Sequence, residues 1–157
     1  MLLFRSLSRI SSLVAFGLSI SASIAQAGDS VWDLVSAMNQ ARRDNGVREL
    51  RADDRLLNSS GTHARDMAMR NYFSHDTPEG WGVGLRIHGW GYPHLAGVVE
   101  NIAGGQRDAW EVVRAWLASP GHRANLLNPR YNAVGAGHYY QPGSSYVQYW
   151  VGHYGTD

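Results

Sequence analysis

The chain has 157 residues, a formal charge of +1, 13 acidic residues, 14 basic residues that are all arginine, and no cysteine. Near-neutrality without a run of cations, Arg42-Arg43 being the sole adjacent pair, excludes the extended positive face that a phosphate backbone requires, so nucleic acid is not an expected partner. The lack of thiols excludes disulfide staples, a cysteine nucleophile and a cysteine-linked lipid anchor, which leaves packing, with six Trp, eight Tyr and three Phe as its anchors, to hold the fold.

The first 27 residues read as an export signal. Arg5 and Arg9 give a positive start, the stretch Ile10 to Ile24 is apolar and Ser-rich, and Ala25-Gln26-Ala27 presents the small-x-small pattern of a cleavage site. Cleavage after Ala27 leaves residues 28–157 as a single exported domain, secreted or periplasmic. Losing two arginines takes its formal charge from +1 to −1. No later segment is long and apolar enough to span a bilayer, so the processed chain is not expected to be an integral membrane protein.

Asp29 or Ser30 caps a first predicted helix, in which Val31, Leu34, Val35, Met38 and Ala41 recur at helical spacing until Asp44-Asn45-Gly46. A second starts at Asp53 or Asp54 and runs to about Arg70, with Gly61 as a tolerated interruption. Tyr72 to about Leu95 is loop-rich, with a short helical turn around Val83 to His88. Gly97 to Ala103 reads as a strand. Asp108 caps a third helix carrying Trp110, Val112, Val113, Trp116 and Leu117, which Ser119-Pro120-Gly121 stops. Ala133 to Tyr140 and Ser144 to His153 form a hairpin about Gln141-Pro142-Gly143, the latter run placing Tyr149 and Val151 on one face and Trp150 on the other. Helices early and paired strands late predict an α+β class with helices on a small antiparallel sheet.

The common enzyme signatures HExxH, GxSxG and GxxxxGK are absent. The run Gly80-Trp81-Gly82-Val83-Gly84 is not a nucleotide loop, because no strand leads into it. His63 lies three residues before Asp66 in the second helix and suits a packed structural role. His75 follows Tyr72-Phe73-Ser74 just past that helix, where its imidazole can face a cleft. Glu100 is an acidic group in an apolar strand and must be paired or solvated, since burying it alone is too costly. His122 follows the Pro120-Gly121 stop on a turn that Arg123 and Asn125 can orient. By spacing alone these three residues form no motif.

Four blocks occur in order: His63-Ala64-Arg65-Asp66-Met67-Ala68, Asn71-Tyr72-Phe73-Ser74-His75, Glu100-Asn101-Ile102-Ala103, and Trp116 to Leu127 with Ser119-Pro120-Gly121-His122-Arg123-Ala124-Asn125 at its centre, followed by Val134-Gly135-Ala136-Gly137. Together they resemble a bacterial member of the CAP superfamily (cysteine-rich secretory, antigen 5 and pathogenesis-related 1 proteins), also called the SCP domain, over nearly all of residues 31–154. The resemblance implies a three-layer α-β-α sandwich around a small central antiparallel sheet. It also implies a cleft in which His75 and His122 are the two histidines that, in some members, bind a divalent metal such as Zn²⁺. Glu100 matches the acidic residue of the strand block, with Val99 where the family usually has Gly, and Asn101 and Ser119 belong to the surroundings of the cleft. Ser119 stands where the family has a second acidic residue, and Glu111 is out of register for it.

The expected function is therefore an exported, non-enzymatic binding module whose cleft holds a weakly bound divalent metal or a small or lipid-like ligand. A metal-assisted hydrolase with Glu100 as general base is the alternative, and a structural or adhesive envelope protein a third reading.

Overall fold

A computed structural model describes residues 30–94 and 97–156 of the chain. The export signal, the Asp29 cap and Leu95 lie outside the described residues. In chain order the elements are α1 (30–44), β1 (Arg51–Ala52), α2 (Asp54–Met69), α3 (Val83–Gly89), β2 (Val98–Gly104), α4 (Ala109–Ala118), α5 (Pro120–Leu126), β3 (Ala133–Tyr140) and β4 (Gln148–Gly155).

Local chemistry fixes most of the boundaries. α1 ends where Gly46 adopts a φ of +70°, while Val47 N–H reaches back to Arg42 O at 2.9 Å and Gly46 N–H to Arg43 O at 3.0 Å. This is the Schellman closure, which a left-handed glycine makes inexpensive. α2 starts at Asp53, whose carboxylate accepts from Arg55 N–H at 3.0 Å, and Asp108 caps α4 by accepting from Glu111 N–H at 2.8 Å. α2 ends on Asn71 at φ +53°, with Tyr72 N–H on Met67 O at 3.0 Å. The Asn71 side-chain Oδ1 then accepts from Ser145 N–H at 2.7 Å, so the chain leaving α2 is tied to the far hairpin loop.

Ser119-Pro120-Gly121 does end α4, but a further helix begins at once. Ser119 is extended (φ −99°, ψ 121°) and serves as the last residue of one helix and the cap of the next. Proline at the first helical position lacks only an N–H that would have no partner there, and its fixed φ suits the helix. The first bond of α5 is Arg123 N–H to Ser119 O, 2.8 Å. The other end of α5 is held by Arg42, a buried arginine of α1 whose guanidinium donates to Leu126 O at 2.7 Å and Asn128 O at 3.1 Å.

The sheet order is β1-β3-β4-β2. β3, β4 and β2 are antiparallel, but the two-residue β1 pairs parallel with β3, which makes the sheet mixed at that edge. β4 begins at Gln148 rather than Ser144. Residues 141–147 instead form a wide loop closed on itself, with Ser144 Oγ accepting from Val147 N–H at 3.2 Å and Val147 at φ +64°. The alternation within β4 decides the layers. Tyr149 and Val151 pack with Ile102, Ala64 and Met67 beneath α2. Trp150 and Tyr154 pack with Val134, Trp116, Leu34 and Met38 beneath α1 and α4. Helices thus cover both faces, the α-β-α sandwich.

α2 lies unusually low on the sheet. A Cβ on Gly135 would sit 2.1 Å from the Leu56 carbonyl carbon, and one on Gly137 would sit 2.3 Å from Ser60 O. Two bare positions in β3 therefore let the helix backbone rest on the strand. Gly135→Ala and Gly137→Ala should each cost about 3 kcal/mol or more, because nothing on either side is a flexible side chain that can give way. Gly61→Ala, whose Cβ meets nothing within 4 Å, should instead stabilise α2 by about 1 kcal/mol. Urea unfolding midpoints of the three variants compare these effects.

Candidate functional site

Strand register sets the foundation. Glu100 of β2 stands opposite His153 of β4, which stands opposite Gly135 of β3, all on the sheet face under α2. Because Gly135 lets α2 descend, His63, two turns beyond Leu56, is carried to within 3.8 Å of the Glu100 carboxylate. The other partners arrive from the segment between α2 and β2. Glu100 Oε1 accepts from His75 Nδ1 at 2.7 Å, and Oε2 accepts from Arg86 Nη2 at 2.6 Å and His153 Nε2 at 2.8 Å. The carboxylate is 1 % exposed. Burial by itself pushes its pKa up, but the hydrogen bonds from His153 and His75 and the charges around it outweigh that, and hold it well below the usual carboxylate range.

Arg86 does more than neutralise Glu100. Its Nη1 donates to His75 O at 2.5 Å and Trp81 O at 2.8 Å, so one guanidinium pins the 75–81 loop to the buried carboxylate. His63 Nε2 donates to Ser74 O at 3.0 Å, fixing the backbone one residue before His75. Burial above all pushes His63 down to about 4, so it is neutral at physiological pH. The expected pairing of His63 with Asp66 is not what the helix makes: Asp66 accepts from Tyr72 Oη at 2.6 Å instead.

His122 lies in the first turn of α5, on the other side of β2. Its Nδ1 is 2.9 Å from Ser119 Oγ, and its carbonyl accepts from Asn101 Nδ2 at 3.0 Å. Asn101 is fully buried and also accepts from Asn125 Nδ2 at 2.9 Å, while Asn125 reaches Glu100 O at 3.4 Å. Adjacent residues of one strand therefore hold the two histidines, Glu100 through its side chain and Asn101 through the α5 backbone. His75 and His122 are near enough that charge on His75 adds to the effect of burial in lowering the His122 pKa. His75 is itself raised, chiefly by its hydrogen bond to Glu100.

Each imidazole uses Nδ1 for an oxygen partner, and among the described residues neither Nε2 has a hydrogen-bond partner. That arrangement, a carboxylate or hydroxyl orienting the ring from behind, suits Nε2 ligation of a divalent metal. The donor set stops there. Among the described residues no group of three or more His, Cys, Asp or Glu side chains is placed to hold a metal ion, and the Glu100 oxygens are already occupied. Two imidazoles and solvent fit a weak site rather than a closed structural one.

A model of the cysteine-rich secretory protein family, CAP, matches residues 35–154. The chain belongs to the CAP family. It is 37 % identical over 128 residues to the uncharacterized protein YkwD of Bacillus subtilis, covering 76 % of this chain and 46 % of that one. It is 32 % identical over 104 residues to the uncharacterized membrane protein YlbC of the same organism, covering 66 % and 30 %. The chain thus spans less than half the length of these relatives. Among solved structures it resembles an extracellular SCP-domain protein of Bacillus anthracis (27 % identity, TM-score 0.71, 83 % of this chain and 41 % of that one). The fold also matches an outer surface protein of Borrelia burgdorferi (24 % identity, TM-score 0.68, 78 % and 89 %).

Within this CAP fold the position of the missing second acidic residue acquires a local account. Ser119 places a hydroxyl on His122 Nδ1, which orients the ring without a charge. Arg86 and His153 were not singled out by sequence. Arg86 sits in a Gly-rich segment with no patterning of its own, and His153 ends a strand whose alternation alone would place it toward α2.

Glu100→Gln leaves the Arg86 guanidinium, 8 % exposed, without its counter-charge. The substitution should cost about 3–5 kcal/mol, the range for breaking a buried pair from one side, measured by urea unfolding at pH 7. The pH dependence has a definite sign. With His63 lowered to about 4 in the fold, the unfolded chain binds the extra proton between its ordinary value near 6.5 and 4, so stability falls as pH drops through that window. His75 is raised, so its contribution is complete below about 6.5 and is lost as pH rises through its folded value. Urea midpoints at about pH 7 and about pH 4.5, with His63→Gln flattening the difference, test the assignment.

Proposed function

We propose that this CAP domain is an exported, non-enzymatic binding module of the cell envelope or its surroundings, whose His75–His122 cleft takes a divalent metal such as Zn²⁺ weakly. The observation that carries the reading is the pair of imidazoles held at Nδ1 by Glu100 and Ser119, with both Nε2 atoms without a hydrogen-bond partner among the described residues. Export is supported by the leader pattern of residues 1–27 and by the likeness to an extracellular SCP protein. Among the described residues no helix is long and apolar enough to cross a membrane.

Binding is favoured over hydrolysis by the state of Glu100. A general base needs a lone pair aimed at water and a pKa near the working pH. Here three donors converge on a carboxylate that is 1 % exposed and held well below the usual range. When bound, a metal would supply a positive centre for an oxygen-bearing small or lipid-like ligand. The protein's part is to fix the two rings and to keep His122 neutral through burial.

Zinc at about a hundred times its dissociation constant should stabilise the processed protein by about 2.7 kcal/mol, raising its melting temperature by several degrees. His75→Ala with His122→Ala should abolish the rise. Ser119→Ala should weaken zinc without unfolding the protein, because it removes only the orienting hydroxyl. An unchanged melting curve at saturating zinc sinks the metal reading.

A further inference from the structure

A concavity lies on the α2 side of Glu100, with neither His75 nor His122 in its wall. It has a volume of about 580 Å³ and is walled by α2, the 77–81 turn and α3, within the size range of small-ligand sites. Trp81, Leu85 and Trp90 line it while remaining 55, 60 and 47 % exposed. Large apolar side chains gathered at one opening are a cost that solvent-facing surface ordinarily avoids, and they mark binding sites.

The charges around this cavity are already matched. Arg70 forms a two-pronged pair with Glu79 (2.6 and 3.0 Å) and lies 3.5 Å from Asp66, while Arg86 is committed to Glu100. An ionic ligand would have no free counter-charge, so the occupant is neutral. It is not a plain hydrocarbon either. Three residues of the cavity wall carry polar atoms that are buried without partners among the described residues: Ser59 Oγ, His63 Nδ1 and Arg86 Nε. Such orphans are uncommon, and each awaits a partner that an alkyl chain lacks. Their chemistry is complementary in kind. Ser74 O can only accept, so His63 Nε2 carries the hydrogen and Nδ1 is a bare acceptor. Arg86 Nε is a donor, and a hydroxyl is either.

We propose that this cavity binds a neutral sugar bearing an acetamido group, an N-acetylhexosamine unit, with its C–H faces against Trp81 and Trp90. An indole face and the apolar face of a pyranose ring suit each other as other aromatic contacts do. The secondary amide offers one donor and one acceptor, complementary in kind to the acceptor His63 Nδ1 and the donor Arg86 Nε. Thr62 and Thr77 add hydroxyl-bearing wall for the ring hydroxyls. An envelope glycan as the source of that sugar rests on the export reading. The sugar chemistry itself does not, nor does it need a metal.

Calorimetric titration of the processed protein with tri-N-acetylchitotriose in EDTA tests the site apart from the His75–His122 cleft. Saturable binding is expected, weakened by about tenfold or more in Trp81→Ala and in Trp90→Ala. Both indoles are half exposed, so the fold should persist, and a melting curve of each variant checks it. The deacetylated trimer should bind at least about tenfold more weakly than the acetylated one. Three results overturn the proposal: no saturable heat up to ~10 mM sugar, binding unchanged in the double tryptophan variant, or laurate bound in preference with the same tryptophan dependence. Failure here with a surviving zinc shift would leave the metal reading standing, and the reverse result would leave the sugar site standing.

Discussion

The buried carboxylate of Glu100 is the constraint around which the structure is arranged. An isolated charge at that depth would be prohibitively costly, and the fold answers by converging α3, β4 and the loop after α2 on two oxygen atoms. Each partner closes a long loop in the chain, the longest joining residues 53 positions apart. The polar cluster is therefore a set of tertiary ties as much as a site. Its cost is met only when every member is in place, which gives it the all-or-none character of a buried network.

That convergence depends in turn on backbone proximity. Gly135 and Gly137 allow α2 to rest on β3, and only from there can His63 both approach Glu100 and hold Ser74 O. His75 is then positioned by three agents at once: His63 on the preceding carbonyl, Arg86 on its own carbonyl and Glu100 on its ring. His122 reaches the neighbourhood by a separate route, through the α4–α5 junction at Ser119 and the Asn101–Asn125 bracket. One strand carries both supports in consecutive residues whose side chains point to opposite faces.

Sequence made the helices legible because caps and periodicity are local: Asp53, Asp108 and Asn45-Gly46 mark boundaries without reference to the rest of the chain. It showed the alternation of β4 for the same reason. What it hid was non-local. A Pro-Gly pair reads as a stop, and only the packing of Leu126 and the grip of Arg42 on its carbonyl show that a second helix follows. The parallel pairing of a two-residue β1 leaves no pattern at all. In the site, Glu100 announced a need for partners by being acidic in an apolar strand, and resemblance supplied His75 and His122. Arg86 and His153 could not be read, because a cation in a short glycine-rich segment and a histidine within a β-run look ordinary until register and loop closure bring them to one carboxylate.

The two histidines beside β2 have proton affinities shifted in opposite directions. His75 donates to Glu100 and is raised, while His122 sees burial and the charge of His75 and is lowered. A proton and a metal compete for an imidazole, since ligation requires the neutral ring. Glu100 makes His75 the more basic imidazole and, for the same reason, the one harder to free of its proton. Had the position of Ser119 held a second carboxylate, His122 would have been raised in the same way and both rings would have favoured the cation. A hydroxyl at that position orients the ring without adding charge, so His122 stays neutral over a wider pH range.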